Sequence, residues 1–434
     1  MRHRTAAAAA RAAAEGPAPN GAPRKQPQEV SARTTLILVC VTASLPLLVW
    51  AGLKWVLPDH QHAKLMTPPK MKLSLQPEEV LAHLQNHTLL HIGGVHRSGN
   101  SLLVKGLALH SGVAQLDHQP GHDARHAHWI KKVGDGVFLQ TVYPKFGFDH
   151  KGYLMRKWLG RLARKIPFLP EGVFTWMGLR EGIGRFALDP GHRLSESSPL
   201  LHERAQQVLF NQWALFWDLS KPVLMEKSPS NGVISPYLHR LWGLGLPSSP
   251  ARFIFIQRHP IAVALATLRV GGPTVQDLEV ADLVENWVAA EERRAEDLRQ
   301  YFSLHEDPAA PPVHRTVTLE ELVKEPRRVL SELLDWLALP LPSEELLAEF
   351  EQIVNPDTNK KYFYHYCLKL LEQGEEKSGK FREYTRLVER FAERVLAVST
   401  YDLREVPRVC KEVLIQPLPS DASEGKASEA GAAP

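Results

Sequence analysis

Apolar and polar positions along this chain follow two rhythms. Four short runs, Thr88–Val95, Pro222–Lys227, Arg252–Gln257 and Val313–Leu319, are rich in Val, Ile, Leu and Phe or close on a polar or glycine turn. Runs of this length and composition predict strands, most of them buried. Between the runs, apolar residues recur every three or four positions. Leu102, Leu103, Leu107 and Leu109 do so after Ser101, and Leu200, Leu201, Ala205, Val208, Leu209, Trp213 and Phe216 do so within Pro199–Leu219. The same spacing covers Pro77–Gln85, Ile261–Leu268, Asp282–Phe302, Glu320–Leu330 and much of Leu330–Leu403. It predicts helices with one apolar face. Strands alternating with helices from Thr88 to Leu339 predict an α/β fold, a mostly parallel sheet flanked by helices on both faces. Ligands on such sheets bind beyond the carboxyl ends of the strands.

A different pattern opens the chain. Met1–Arg33 is rich in Ala, Pro and Gly and carries an excess of Arg, which predicts a disordered tail. Thr34–Leu53 is uncharged and apolar over a bilayer-spanning length, with Trp50 and Trp55 near its far end. A cleaved signal peptide fits less well, because the preceding tail is long and no small-residue cleavage site follows. The expected organisation is a cytosolic tail over 1–33, a transmembrane helix over 34–57, a stem over 58–87, a catalytic domain over 88–403 and a largely disordered tail over 404–434. The positive flank places the catalytic domain in the lumen. Asn86-His-Thr88 is a glycosylation sequon. Outside the span the only cysteines are Cys367 and Cys410, either one disulfide or two buried thiols. The formal net charge of +4 is too small to imply nucleic acid.

The candidate chemistry begins at His91-Ile-Gly-Gly-Val-His-Arg-Ser-Gly-Asn-Ser-Leu-Leu103. A strand, a glycine loop and a helix N-terminus form an anion site, because the first N–H groups of the helix point at the ligand. Gly94 to Ser101 keeps the Walker A spacing, but Asn100 stands where that motif has its Lys. Arg97 and the hydroxyls of Ser98 and Ser101 remain. They suit a terminal group already activated on one nucleotide phosphate.

Val95-His-Arg-Ser-Gly-Asn-Ser-Leu-Leu103 resembles the 5′-phosphosulfate loop of the sulfotransferase superfamily, with His96 for the usual Pro and Asn100 for Thr. That family moves sulfuryl groups from 3′-phosphoadenosine 5′-phosphosulfate (PAPS) to hydroxyls. The resemblance implies a P-loop-like sulfotransferase fold, with Arg97, Ser98, Gly99, Asn100 and Ser101 holding the phosphosulfate. Glu226-Lys-Ser-Pro229 is similar to the family's K-[ST]-P segment and implies that Lys227 stabilises the transferring group. Arg258-His-Pro260 is similar to its 3′-phosphate motif and implies a grip by Arg258; Ala266 stands where the family has Ser, and Thr267 is the adjacent substitute. Thr318-Leu-Glu-Glu-Leu322 is similar to its strand-to-helix transition. Gly134–Tyr143 resembles a segment of one subgroup and brings Asp135 to a base position; His118, by its distance from the loop, is the other candidate base. Sulfuryl transfer needs such a group to take the acceptor proton.

Three stretches carry weaker readings. His118, His122 and His126 are four apart, but Pro120-Gly121 interrupts any helix there, and a loop at the site mouth is expected rather than a metal centre. Lys151–Arg193 interleaves basic and aromatic residues, either an acceptor surface for an acidic substrate or the solvated faces of short helices. Lys360–Tyr366 is either a lid or nucleotide-base contact, or aromatic packing against the core. Together the expectation is a single-pass type II membrane protein, Golgi-type, that moves a sulfuryl group from PAPS to the hydroxyl of a glycan, tyrosine or other alcohol or phenol without a metal. The alternatives are a P-loop phosphoryl transferase or kinase, and an inactive nucleotide-binding membrane protein, for which Ala266 is the main support.

Overall fold

The computed structural model describes residues 74–117, 134–143, 194–270, 278–305, 311–371 and 379–415. Its centre is one sheet of five strands: β1 (Thr88–Gly93), β2 (Val113–Gln115), β3 (Val223–Lys227), β4 (Ala251–Gln257) and β5 (His314–Thr318). The order across the sheet is β2-β3-β1-β4-β5, and every neighbouring pair is parallel. The central strands are apolar on both sides because both sides are covered. In β4, Phe253 and Phe255 face one layer while Ile254 and Ile256 face the other, all at most 1% exposed. Burying one such side chain stabilises the fold by about 2–3 kcal/mol.

The helices follow in chain order as α1 (Pro77–Asn86), α2 (Asn100–Ala108), α3 (Glu203–Ala214), α4 (Asn231–Trp242), α5 (Pro260–Val270), α6 (Val280–Asp297), α7 (Leu319–Lys324), α8 (Pro326–Trp336), α9 (Glu344–Ile353), α10 (Lys360–Leu371), α11 (Gly379–Val398) and α12 (Val406–Ile415). One core joins Leu90, Ile92, Ile254 and Ile256 to α2, α8 and α9 through Leu103, Leu107, Leu330 and Phe350. The other joins Phe253 and Phe255 to α3, α4, α6 and α11 through Trp213, Trp242, Trp287 and Phe391.

Four local findings differ from the sequence expectation. β2 has three residues, too few for a periodic signal. α4 carries Pro236 and is buried along nearly its whole length, so it has no polar face to mark it as a helix. The helix expected over Pro199–Leu219 is shorter: His202 caps it, its Nδ1 accepting from Ala205 N at 3.0 Å. Both ends of the domain also extend further than expected. In the predicted stem, Val80 and Leu84 of α1 are 1% exposed, and Asn211 Oδ1 accepts from Ser74 N and Leu75 N at 3.0 and 2.8 Å. In the predicted tail, α12 is tied to α10 by a Cys367–Cys410 disulfide, which resolves the two cysteine readings. Among the described residues no helix is long and apolar enough to cross a membrane; the expected span at 34–57 lies outside them.

Candidate active site

β1 ends at Gly93 and the chain doubles back through 94–99 before α2 begins. Two left-handed residues make the reversal, Arg97 at φ 70° and Gly99 at φ 105°. At Gly99 a Cβ would also press on the Leu319 side chain, so glycine serves both the conformation and the close approach. Ser98 N donates to Val95 O at 3.1 Å and closes the turn. Asn100 takes an unexpected role. Its Nδ2 reaches back to Gly94 O and Val95 O, both at 3.3 Å, and the residue is 6% exposed. The side chain at the Walker lysine position therefore braces the loop, while the N–H groups at the start of α2 have no partner inside the helix. Ser101 and Arg97 are exposed, and the Ser98 side chain is buried.

Lys227 is the last residue of β3. Its ammonium pairs with the Asp135 carboxylate, and the two side chains are 16% and 13% exposed. Burial pushes the Asp135 carboxyl above its usual range, with Lys227 pulling the other way and Glu226 adding to the rise. Just downstream of Asp135 the chain is knotted on itself. Gln140, fully buried, donates to Val137 O and Tyr143 O at 3.0 and 2.8 Å and accepts from Val142 N and Tyr143 N at 2.6 and 2.8 Å. His96, beside Lys227 and Arg97, is lowered to about 3 by burial and by those two cations, and so is neutral.

Arg258 follows β4. Its Nε donates to Asn359 Oδ1 at 2.7 Å, Nη1 to Arg97 O at 2.8 Å and Nη2 to Thr358 O at 3.1 Å. The guanidinium lies 5.0 Å from the Tyr362 ring centre. Burial lowers its pKa from the ordinary arginine value. Behind it, Glu320 accepts from Asn359 Nδ2 at 2.6 Å, from His259 N at 3.1 Å and from Tyr401 OH. A carboxylate, an amide and a guanidinium thus stand in series and fix the planar group in one orientation.

The three strand ends open on one cavity of about 340 Å³, lined among others by Arg97, Ser101, Asp135, Lys227 and Arg258. Its far wall comes from a stretch with no strand or helix period: Asn355 and Thr358, then Tyr362 at the start of α10. The Tyr-rich run of α10 divides by helical phase. Phe363 and Tyr366 pack in the core, 2% and 8% exposed, while Tyr362 faces the cavity. Burial raises the Tyr362 phenol, but Lys361, Arg97 and Arg258 outweigh it and leave the pKa below its ordinary value. Aromatic packing is therefore realised at Phe363 and Tyr366, while Tyr362 lines the cavity.

Thr267 does not reach the cavity. Its hydroxyl donates to Val263 O at 2.8 Å, one turn back in α5, and the residue is 3% exposed; Ala266 is fully buried. The helix geometry that sets successive side chains about 100° apart accounts for this. His118, the three-histidine pattern and the basic segment 151–193 lie outside the described residues. Among the described residues no group of three or more His, Cys, Asp or Glu side chains is placed to hold a metal.

No protein-family model matches the chain, and no curated protein matches it. Among solved structures it is similar to the sulfotransferase domain of the Synechococcus PCC 7002 olefin synthase, at 18% identity and a TM-score of 0.31, over 77% of this chain and 96% of that one. It is also similar to the sulfotransferase domain from the curacin biosynthetic pathway, at 17% identity and a TM-score of 0.31, over 77% and 99% of the two chains. A third likeness is to sulfotransferase STF9 from Mycobacterium avium, at 14% identity and a TM-score of 0.33, over 63% and 71%.

Proposed function

We propose that the chain is a PAPS-dependent sulfotransferase. One observation carries the reading: a glycine loop, a lysine and an arginine, each at the carboxyl end of a different strand of one parallel sheet, border the same cavity. The loop amides and Ser101 hold the 5′-phosphosulfate, and Arg258 holds the 3′-phosphate. A guanidinium has five N–H donors. Arg258 spends three on the protein, which leaves one on Nη1 and one on Nη2 for two phosphate oxygens. The Walker lysine that a kinase uses is absent, and Asn100 turns inward to the loop, which favours this reading over phosphoryl transfer.

Transfer uses the Asp135–Lys227 pair. The acceptor oxygen attacks sulfur in line, and the bond from sulfur to the bridging phosphate oxygen breaks. Asp135 takes the acceptor proton. Lys227 leaves Asp135 for the bridging oxygen and stabilises the charge that develops there. His118 is the other candidate for the proton. The acceptor is a glycan, tyrosine or other hydroxyl. We place the domain in the secretory pathway, on a type II anchor formed by 34–57, a reading supported by the Cys367–Cys410 disulfide. Exposure of Asn86 at the end of α1 agrees with a sequon open to glycosylation.

The test is calorimetric binding of PAP, PAPS and AMP to the full chain. Preference for PAP over AMP, lost in Arg258→Ala, is expected. Equal binding of PAP and AMP by the wild type would refute the assignment of the 3′-phosphate site.

A further inference from the structure

The cavity-lining residues do not include a heavily bonded carboxyl beneath them. Glu226 precedes Lys227 in β3 and is fully buried. Gly136 N donates to its Oε1 at 3.1 Å, and the Ser228 hydroxyl donates to the same oxygen. Asn231 Nδ2 donates to Oε2 at 2.6 Å, and His91 Nδ1 lies 3.3 Å from it. These partners come from the turn after Asp135, the end of β3, the start of α4 and the middle of β1. Ser228 extends the network, because its Oγ also accepts from Val137 N at 2.9 Å. Trp213 Nε1 closes the turn from outside by donating to Gly136 O at 3.0 Å. At Gly136 a Cβ would overlap Glu226 Cγ and Oε1, so the contact depends on that glycine.

A carboxylate is costly to bury, and this one is kept where hydrophobic side chains fill the surrounding sheet. Its bonds join two chain segments about 90 residues apart, and those segments carry the two members of the transfer pair. We propose that Glu226 is a positioning residue, which with Ser228 docks the Gly136–Leu139 turn on the end of β3 and so holds Asp135 against Lys227. The inference rests on the transfer reading for its catalytic consequence, but the docking itself does not. Two effects follow. The turn is fixed relative to Lys227, and the buried Glu226 carboxyl sits near Asp135, whose other charged neighbour among the described residues is Lys227.

The experiment compares full-length wild type, Ser228→Ala and Glu226→Gln. Amide exchange is followed in the 134–143 peptide, PAP binding by calorimetry, and turnover as labelled sulfate released from PAPS to water. Ser228→Ala removes a buried acceptor and donor together. Exchange in the turn should quicken about 10-fold and sulfate release fall about 10-fold, with PAP affinity within about 2-fold of wild type. Glu226→Gln keeps the shape, and its amide oxygen can still accept from Gly136 N and Ser228. The turn should stay protected while the acid limb of sulfate release moves to lower pH, because Asp135 loses a neighbour that raises its pKa. Wild-type exchange and wild-type turnover in Ser228→Ala overturn the proposal. An unmoved acid limb in a folded Glu226→Gln protein overturns the electrostatic effect on Asp135. If the wild type takes up no PAP, the donor reading falls, and the exchange comparison decides whether Glu226 and Ser228 dock the turn.

Discussion

Arg258→Lys separates charge from geometry at the second anchor. The ammonium keeps the positive charge but has only three donors on one nitrogen. It cannot serve Asn359 Oδ1, Arg97 O and Thr358 O while also presenting two parallel N–H groups to a phosphate. Charge-assisted hydrogen bonds contribute about 1.5–3 kcal/mol each, and the substitution forfeits one of those to the 3′-phosphate. PAP affinity should therefore fall roughly 10- to 200-fold. AMP, which has no 3′-phosphate, should bind the variant about as it binds the wild type, so the PAP-to-AMP ratio collapses. Calorimetry of both nucleotides on both proteins measures the ratio directly. A Lys variant that keeps the ratio within about threefold would refute the bidentate argument, because charge alone would then suffice.

Asp135→Asn should lower turnover by about 100-fold or more with little change in PAP affinity, as loss of a general base does; single-turnover rates at saturating PAPS check this. Wild-type turnover should rise with pH through the Asp135 pKa, which burial holds above the ordinary carboxylate range, and a profile flat down to the usual carboxylate range would contradict the assignment. Reducing Cys367–Cys410 opens a 43-residue loop and should cost about 4 kcal/mol, or about 5 °C in Tm, in a reversible melt with and without reductant. Burial lowers His239 and His259 to about 4, so below their ordinary value near 6.5 the unfolded chain takes up protons that the folded one refuses. Their contribution to stability is present above about 6.5 and lost as pH falls towards 4; at pH 5 each removes about 2 kcal/mol, as does the similarly lowered His96, and His259→Asn should recover about a third of the loss seen in melts at pH 7 and pH 5.

The parts of this fold that could be read from sequence were those with a strong local signal. β1, β3 and β4 are short apolar runs closed by turns, and the glycine loop and Arg258 sit directly after two of them. β5 is legible as well, although His314, Arg315 and Thr316 on this edge strand are partly or fully exposed. β2 is too short for a period, and α4 is too evenly buried to show a polar face. The site's far wall was hidden for a different reason. Asn355, Thr358 and Asn359 lie between helices, and their value comes from contacts with Arg258 about 100 residues earlier. Glu226 was hidden by its neighbour, since Lys227 carries the motif and a carboxylate inside a strand looks like a surface residue until its four partners are seen. Asn100 shows the converse. Its position in the motif was plain, but the direction of its side chain was not.

The strand order has a consequence for how the protein comes into being. β1 lies in the middle of the sheet and pairs with β3 and β4, whose residues are synthesised more than 130 positions later. Contacts of such long sequence separation form slowly, because a large loop must close before any pairing rewards it. The phosphate loop leaves the ribosome early, yet it has no lysine and no arginine opposite it until the centre of the sheet has closed. A nascent or truncated chain ending before β4 therefore lacks Arg258 and the cavity wall that follows it. On the proposed function, nucleotide capture would report closure of the central sheet, and a ligand that fills the cavity should rescue destabilised variants by mass action.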